Sequence, residues 1–187
     1  MQTDVPTEGY PQAVHDRLEH ALRQLRLSYP GPDRLVAREW PQALLQSAAT
    51  SSTLELAQSH GDFQPGNIHV ARSGRRVFLH DWENSDLRER HYDLLTYGLE
   101  ARYPRGLAGR LMRFVQGGAC RLQRSLLPTM TTEDRRRSAV ALFLLEDLER
   151  AASEATSSPY KAPPHGFRLL CAELATFGPR LEALLRA

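Results

Sequence analysis

The run "AVALFLLEDL", Ala139 to Leu148, constrains this chain most. A helix over it is apolar nearly all round at first, so it has little face to offer water and belongs at the centre of a fold. The helices to surround it are legible as well. Val14, Leu18, Leu22 and Leu25 recur at helical spacing from Pro11 until "SYPGPD" breaks the pattern. A short helix starts at Pro41, a residue suited to a first turn, and carries Leu44 and Leu45. "ATSSTLELAQS" follows, with Ser or Thr available as a cap.

Everything after Tyr92 reads helical. "YDLLTYGLEARY" is stopped before Pro104, and Leu107, Leu111, Phe114, Val115, Gly118, Leu122 and Leu126 form a long stripe ending at Pro128. Thr132, followed by Glu133 and Asp134, opens the central helix. A final stripe from Phe167 through Leu185 is expected to break or kink at Gly178-Pro179. On the central helix, Glu146, Asp147, Glu149 and Glu154 read as a solvated acidic side, and Arg135 to Arg137 as a solvated basic run.

One short region differs. "NIHVA" and "RVFLHDW", joined by "RSGR", read as a β-hairpin over about residues 67–80. The fold class is therefore α+β and predominantly helical, with a loose leader at 1–10 and a single domain over 11–187. With 187 residues, 41% of them hydrophobic, the chain can bury a core of that kind. A net charge of +2 gives no bulk electrostatic case for nucleic acid or a membrane surface. No apolar run reaches the roughly 18 residues of a membrane span. The first twenty residues, with Asp4, Glu8 and Asp16, are too polar for a signal peptide. A cytoplasmic protein is expected, with Cys120 and Cys171 as reduced thiols in apolar surroundings.

Polar residues gather around the hairpin. "SHGDFQPGN" sets His60, Asp62 and Asn67 in the pattern H-x-D-x-x-x-x-N, and "LHDWEN" adds Asp81 and Glu83 after the second β-run. "QPGN" alone is an ordinary turn. Pairing of the hairpin, however, brings its two ends together and sets Asn67 beside Asp81, with Asp62 on the preceding loop. Two oxygen ligands at a hairpin mouth suit Mg²⁺. Asp93, in "HYDLL", stands at the next helix start, where a carboxylate is favourable on dipole grounds alone.

"HGDFQPGN" followed by "VFLHDWENSDLRERHYDLL" resembles the aminoglycoside phosphotransferase and choline kinase group, which has a protein-kinase-like fold. The resemblance implies that Asp62 is the catalytic aspartate and that Asn67 and Asp81 hold magnesium with ATP. It implies that His60 braces the loop and that Asp93 steadies it, with Glu83 in support. The implied acceptor is a hydroxyl of a sugar, aminoglycoside or amino-alcohol. The matching segment is 59–97, and the helical remainder is compatible with the group's C-terminal lobe.

The chain departs from the group in two places. His80 stands where the group usually has an aliphatic residue. The 59 residues before His60 read helical rather than as a β-rich ATP lobe, with no glycine-rich loop, and the sole lysine is Lys161, well downstream. The expectation is a kinase-like C-lobe without its N-terminal ATP lobe, which a partner chain or further sequence would supply. Two other readings stand beside it. One is a degenerate kinase lobe that binds or regulates without catalysis. The other is a metal-dependent phosphohydrolase using His60, Asp62, His80 and Asp81.

Overall fold

The computed structural model of the chain describes residues 9–28, 40–48, 54–118, 130–157 and 164–186. Residues 1–8, most of the expected leader, lie outside them, as do Cys120, Lys161 and the 119–129 end of the expected long helix. The described chain is mostly helical with two small antiparallel sheets, an α+β arrangement.

The central helix is where the apolar run requires it. α5 (Glu133–Ser157) buries every residue from Val140 to Leu148 and packs against α1 (Tyr10–Ser28), α2 (Trp40–Ala48), α4 (Leu107–Val115) and α6 (His165–Arg186). Each leucine buried in this way contributes about 1.5–3 kcal/mol relative to exposure. Encirclement also corrects the acidic-face expectation. Glu146 and Asp147 are each only 2% exposed, because a helix covered on all sides has no wet face at that level. α1 contributes Val14, Leu18, Leu22 and Leu25 to the core as its spacing predicts, but it begins at Tyr10, inside the expected leader.

Two helices stop earlier than their stripes suggest, for one reason. α4 ends at Val115 with Gly117 at φ +81°: the Gly117 N–H returns to Phe114 O at 3.0 Å and the Gly118 N–H to Arg113 O at 2.7 Å. This is a Schellman cap. α3 (Tyr92–Gly98) ends in the same way, with the Glu100 N–H on Tyr97 O and the Ala101 N–H on Thr96 O. Here the left-handed position is held by Glu100, at φ 49°, where glycine is usual. α6, in contrast, runs unbroken through Pro179.

The hairpin forms within the expected span. β2 (Ile68–Val70) pairs with β3 (Val77–Leu79), Ile68 opposite Leu79. A second ladder was not expected: β1 (Leu56–Ser59) pairs antiparallel with β4 (Asp86–Glu89), Ser59 opposite Asp86. Its strands lack alternating apolar residues because its inward side chain is a satisfied cation. Arg88, 5% exposed, donates to Ser59 Oγ at 2.8 Å and Asn84 O at 2.9 Å, and lies 4.8 Å from the centre of the Tyr92 ring. The ladder sets His60 and Asp93 near each other, since β1 leads into the first and β4 towards the second.

Candidate active site

Gly61 turns the chain out of β1 at φ +82°, and a Cβ on it would lie 2.0 Å from the Asn84 carbonyl oxygen. Only glycine fits there. The turn is held from the start of α3, where Asp93 accepts the His60 N–H on Oδ2 at 2.6 Å and the Gly61 N–H on Oδ1 at 3.0 Å. His60, 2% exposed, spans to the hairpin. Its Nε2–H donates to the His80 carbonyl at 2.5 Å, and its Nδ1 accepts the Asp62 N–H at 3.3 Å, a pairing that fixes the tautomer. His80 thus acts through its backbone. Its ring is exposed against His69.

Asn67 is buried at the end of a 3₁₀ turn, Pro65–Asn67. Its Nδ2 donates to both the carbonyl oxygen and Oδ2 of Asp62, each at 2.9 Å. Two oxygens facing one amide atom require that atom to be nitrogen, so Asn67 Oδ1 is turned away from them. It has no hydrogen-bond partner among the described residues. Across the hairpin mouth, the His80 N–H donates to Asn67 O at 3.1 Å. Asp81 comes next, exposed and left-handed at φ 59°, ψ 58°, its carboxylate in no hydrogen bond or ion pair among the described residues. Glu83 is exposed in the 3₁₀ turn Trp82–Asn84.

Asn67 and Asp81 therefore present oxygen donors, one neutral and one anionic, at the two ends of one hairpin. That donor set fits a hard divalent cation that keeps several waters. The metal set of the hydrolase reading is not assembled. Both ring nitrogens of His60 are engaged, and no group of three or more His, Cys, Asp or Glu among the described residues could hold a metal ion.

The sequence reading missed Arg102. Beyond the Schellman cap of α3 the chain doubles back, and the Arg102 guanidinium meets the loop. Nε donates to Asp62 Oδ1 at 2.6 Å, Nη2 to Gly61 O at 2.6 Å, and Nη1 to Asp147 Oδ1 at 2.6 Å. Tyr92 donates its hydroxyl to the same Asp147 oxygen at 2.8 Å, and Arg150 approaches it at 3.3 Å. A signal for this existed. Two adjacent acids inside a wholly apolar helical run need buried partners, so a cation had to come from elsewhere in the chain.

Burial, the largest single influence, pushes the Asp62 carboxyl up, but the Arg102 charge acts against it. With hydrogen bonds from Arg102, Gln64 and Asn67, it holds Asp62 below the usual carboxylate range. Asp147 follows the same pattern more strongly: burial is overcome by Arg102 and Arg150, and it stays well below that range. The Tyr92 hydroxyl, buried beside Asp147, is pushed up to about 12.

Beside the loop opens a cleft of about 300 Å³, lined by Gln64, Pro65, Thr96, Tyr97, Glu100, Arg102 and Tyr103. That is the lower end of the range for small-molecule sites. Gln64 and Arg102 are at once its wall and the partners of Asp62, Gln64 Nε2 donating to Asp62 Oδ2 at 2.9 Å. Thr96 Oγ1 is buried with no partner among the described residues.

The model of the phosphotransferase enzyme family, APH, matches residues 2–127, about two thirds of the chain, and spans the whole segment from Ser59 to Tyr97. The chain belongs to the phosphotransferase enzyme family. No curated protein matches it. Membership in this family carries a kinase-like phosphotransfer function as the general expectation. Asp62, Asn67, Asp81, Asp93 and Arg102 all fall within the matched residues, whereas Asp147 lies beyond them on α5. Among the described residues no helix is long and apolar enough to cross a membrane.

Proposed function

We propose that this phosphotransferase family member transfers the γ-phosphoryl group of ATP to a hydroxyl of a small molecule, a sugar, aminoglycoside or amino-alcohol, seated in the cleft beside Asp62. The observation that carries the reading is the fixed Asp62 carboxylate, hydrogen-bonded both to Gln64 and Arg102 of the cleft wall and to Asn67 at the foot of the hairpin. In the reaction, an acceptor oxygen lone pair forms the new O–P bond. The bond from phosphorus to the ADP oxygen breaks with its electrons leaving on ADP, and the hydroxyl proton passes to Asp62 and then to water. Such a transition state is loose, so Asp62 serves mainly by orienting the hydroxyl, a task its lowered basicity allows. Asn67 and Asp81 would hold Mg²⁺, which neutralises charge on the phosphates. His60 and Asp93 keep the loop in place, with Glu83 in outer support.

The fold reading that goes with it is a kinase-like C-lobe, with a β-rich nucleotide lobe supplied by a partner chain or further sequence. The hairpin leaves Val70, Val77 and Phe78 at least half exposed, an apolar surface next to Asp81 that a second lobe would cover. The same surface supports the second reading, a non-catalytic lobe that binds a partner.

A screen of MgATP with sugars, aminoglycosides and amino-alcohols, following ADP release, separates the two. Turnover that falls about 10²–10⁴-fold in Asp62→Asn supports catalysis. A chain that neither binds MgATP nor releases ADP would falsify the phosphotransferase reading for the chain as given, leaving the binding module or a lobe that works only in a longer protein or with a partner.

A further inference from the structure

Asp62 has unequal oxygens. Oδ2 accepts two hydrogen bonds, from Gln64 and Asn67, whereas Oδ1 accepts one, from Arg102. A carboxylate oxygen offers about two lone-pair directions, so Oδ2 is filled and the remaining acceptor site is on Oδ1. The group beside that site is the Arg102 guanidinium. It is planar, permanently charged and donor-only, so it never competes for a hydroxyl proton. Its three nitrogens are each tied to a different partner: Asp62, Asp147 and the Gly61 carbonyl. With its side chain 12% exposed and Asp147 2% exposed, this triangulation ties the catalytic loop to the rigid central helix.

We propose that Arg102 is a positioning residue that reserves Asp62 Oδ1 for the acceptor hydroxyl and fixes its direction relative to the cleft. The inference rests on the phosphotransfer reading above. A plain ion pair could be replaced by lysine. A fork that holds three partners at once cannot, because an ammonium lacks the planar donor geometry.

The test uses the full chain, MgATP and the acceptor that turns over fastest in the screen, with water as the acceptor if none does better. Arg102→Lys should stay folded with kcat down about tenfold or more, and Arg102→Gln should fall about 100-fold, each with the acceptor KM within about threefold of wild type. Because Arg102→Gln leaves Asp147 short of a partner, the double variant Arg102→Gln/Asp147→Asn removes both charges and should show the same kcat loss. A folded Arg102→Lys with wild-type kcat reduces Arg102 to a structural ion pair and overturns the proposal. So does a rise in KM at constant kcat, which would make it an acceptor-binding residue. If the wild-type chain turns over no ATP, the phosphotransfer reading itself falls and takes this one with it.

Discussion

The hydroxyl of Tyr10 meets Glu146 Oε1 at 2.7 Å, joining the first turn of α1 to the middle of α5. The same carboxylate oxygen accepts the Glu89 N–H at 2.8 Å, so one acid ties the N-terminal helix, the β1–β4 ladder and the central helix together. Its other oxygen, Oε2, is buried with no partner among the described residues.

That arrangement gives a pH dependence. Burial pushes the Glu146 carboxyl up to about 8, from 4.5 in the open, against the opposing hydrogen bonds from Glu89 and Tyr10. The folded protein therefore binds this proton more tightly than the unfolded chain does. The stabilisation is complete below about 4.5, erodes as pH rises, and is gone once pH has passed about 8. Urea unfolding from pH 5 to 9 should show wild-type stability falling, and Glu146→Gln should flatten the fall. Parallel profiles for the two proteins would refute the assignment.

Asp147 should be the costliest single acid to remove. Asp147→Ala leaves Arg102 and Arg150, each with a side chain 12% exposed, without their shared buried anion, an expected loss of about 3–5 kcal/mol. Tyr92→Phe, which deletes the hydrogen bond to the same oxygen and a longer one accepted from Arg102 at 3.2 Å but removes no charge, should cost about 1–2 kcal/mol. Equal losses in chemical denaturation would show that the charge cluster does not hold the core as described.

Glycine positions in the loop should separate cleanly. Gly61→Ala places a methyl group against the Asn84 backbone at a positive φ and should cost several kcal/mol, on the order of 3 or more. At Gly66 a Cβ would meet nothing within 4 Å, so Gly66→Ala should change stability by no more than about 0.5 kcal/mol. Thermal melts of the two variants decide it, and matching midpoints would contradict the geometry.

Asp81→Asn isolates charge from conformation. Asparagine tolerates the left-handed backbone seen at Asp81, and the side chain is exposed, so stability should hold to within about 0.5 kcal/mol. Loss of one anionic donor should instead raise the Mg²⁺ concentration needed for half-maximal turnover by about tenfold or more. An unchanged Mg²⁺ requirement would remove Asp81 from the metal set.

The segment from Ser59 to Tyr97 was legible because its chemistry is local. Asn67 and Asp81 flank a hairpin whose strands announce themselves, and Asp93 follows at a helix start. The β1–β4 ladder was not legible, since "LAQS" and "DLRE" carry no strand alternation and the buried side chain of β4 is Arg88, satisfied by Ser59 and Asn84. Arg102 was missed for a related reason. Its position depends on a Schellman cap with glutamate in the glycine place, a stop that "YGLEARY" does not advertise. The burial of Glu146 and Asp147 was readable in principle, had the encirclement of the central helix been carried through to its acids.

The Arg102 bridge has a consequence for how this protein can be divided. The match to the family model ends at residue 127, yet the guanidinium that braces the loop is also anchored on Asp147, beyond that boundary. A fragment cut at the family boundary would inherit the loop but lose Asp147 and the central helix that hold Arg102 from behind, and should be recovered insoluble where the full chain is not. Grafting this chemistry onto another scaffold means moving the central helix with it.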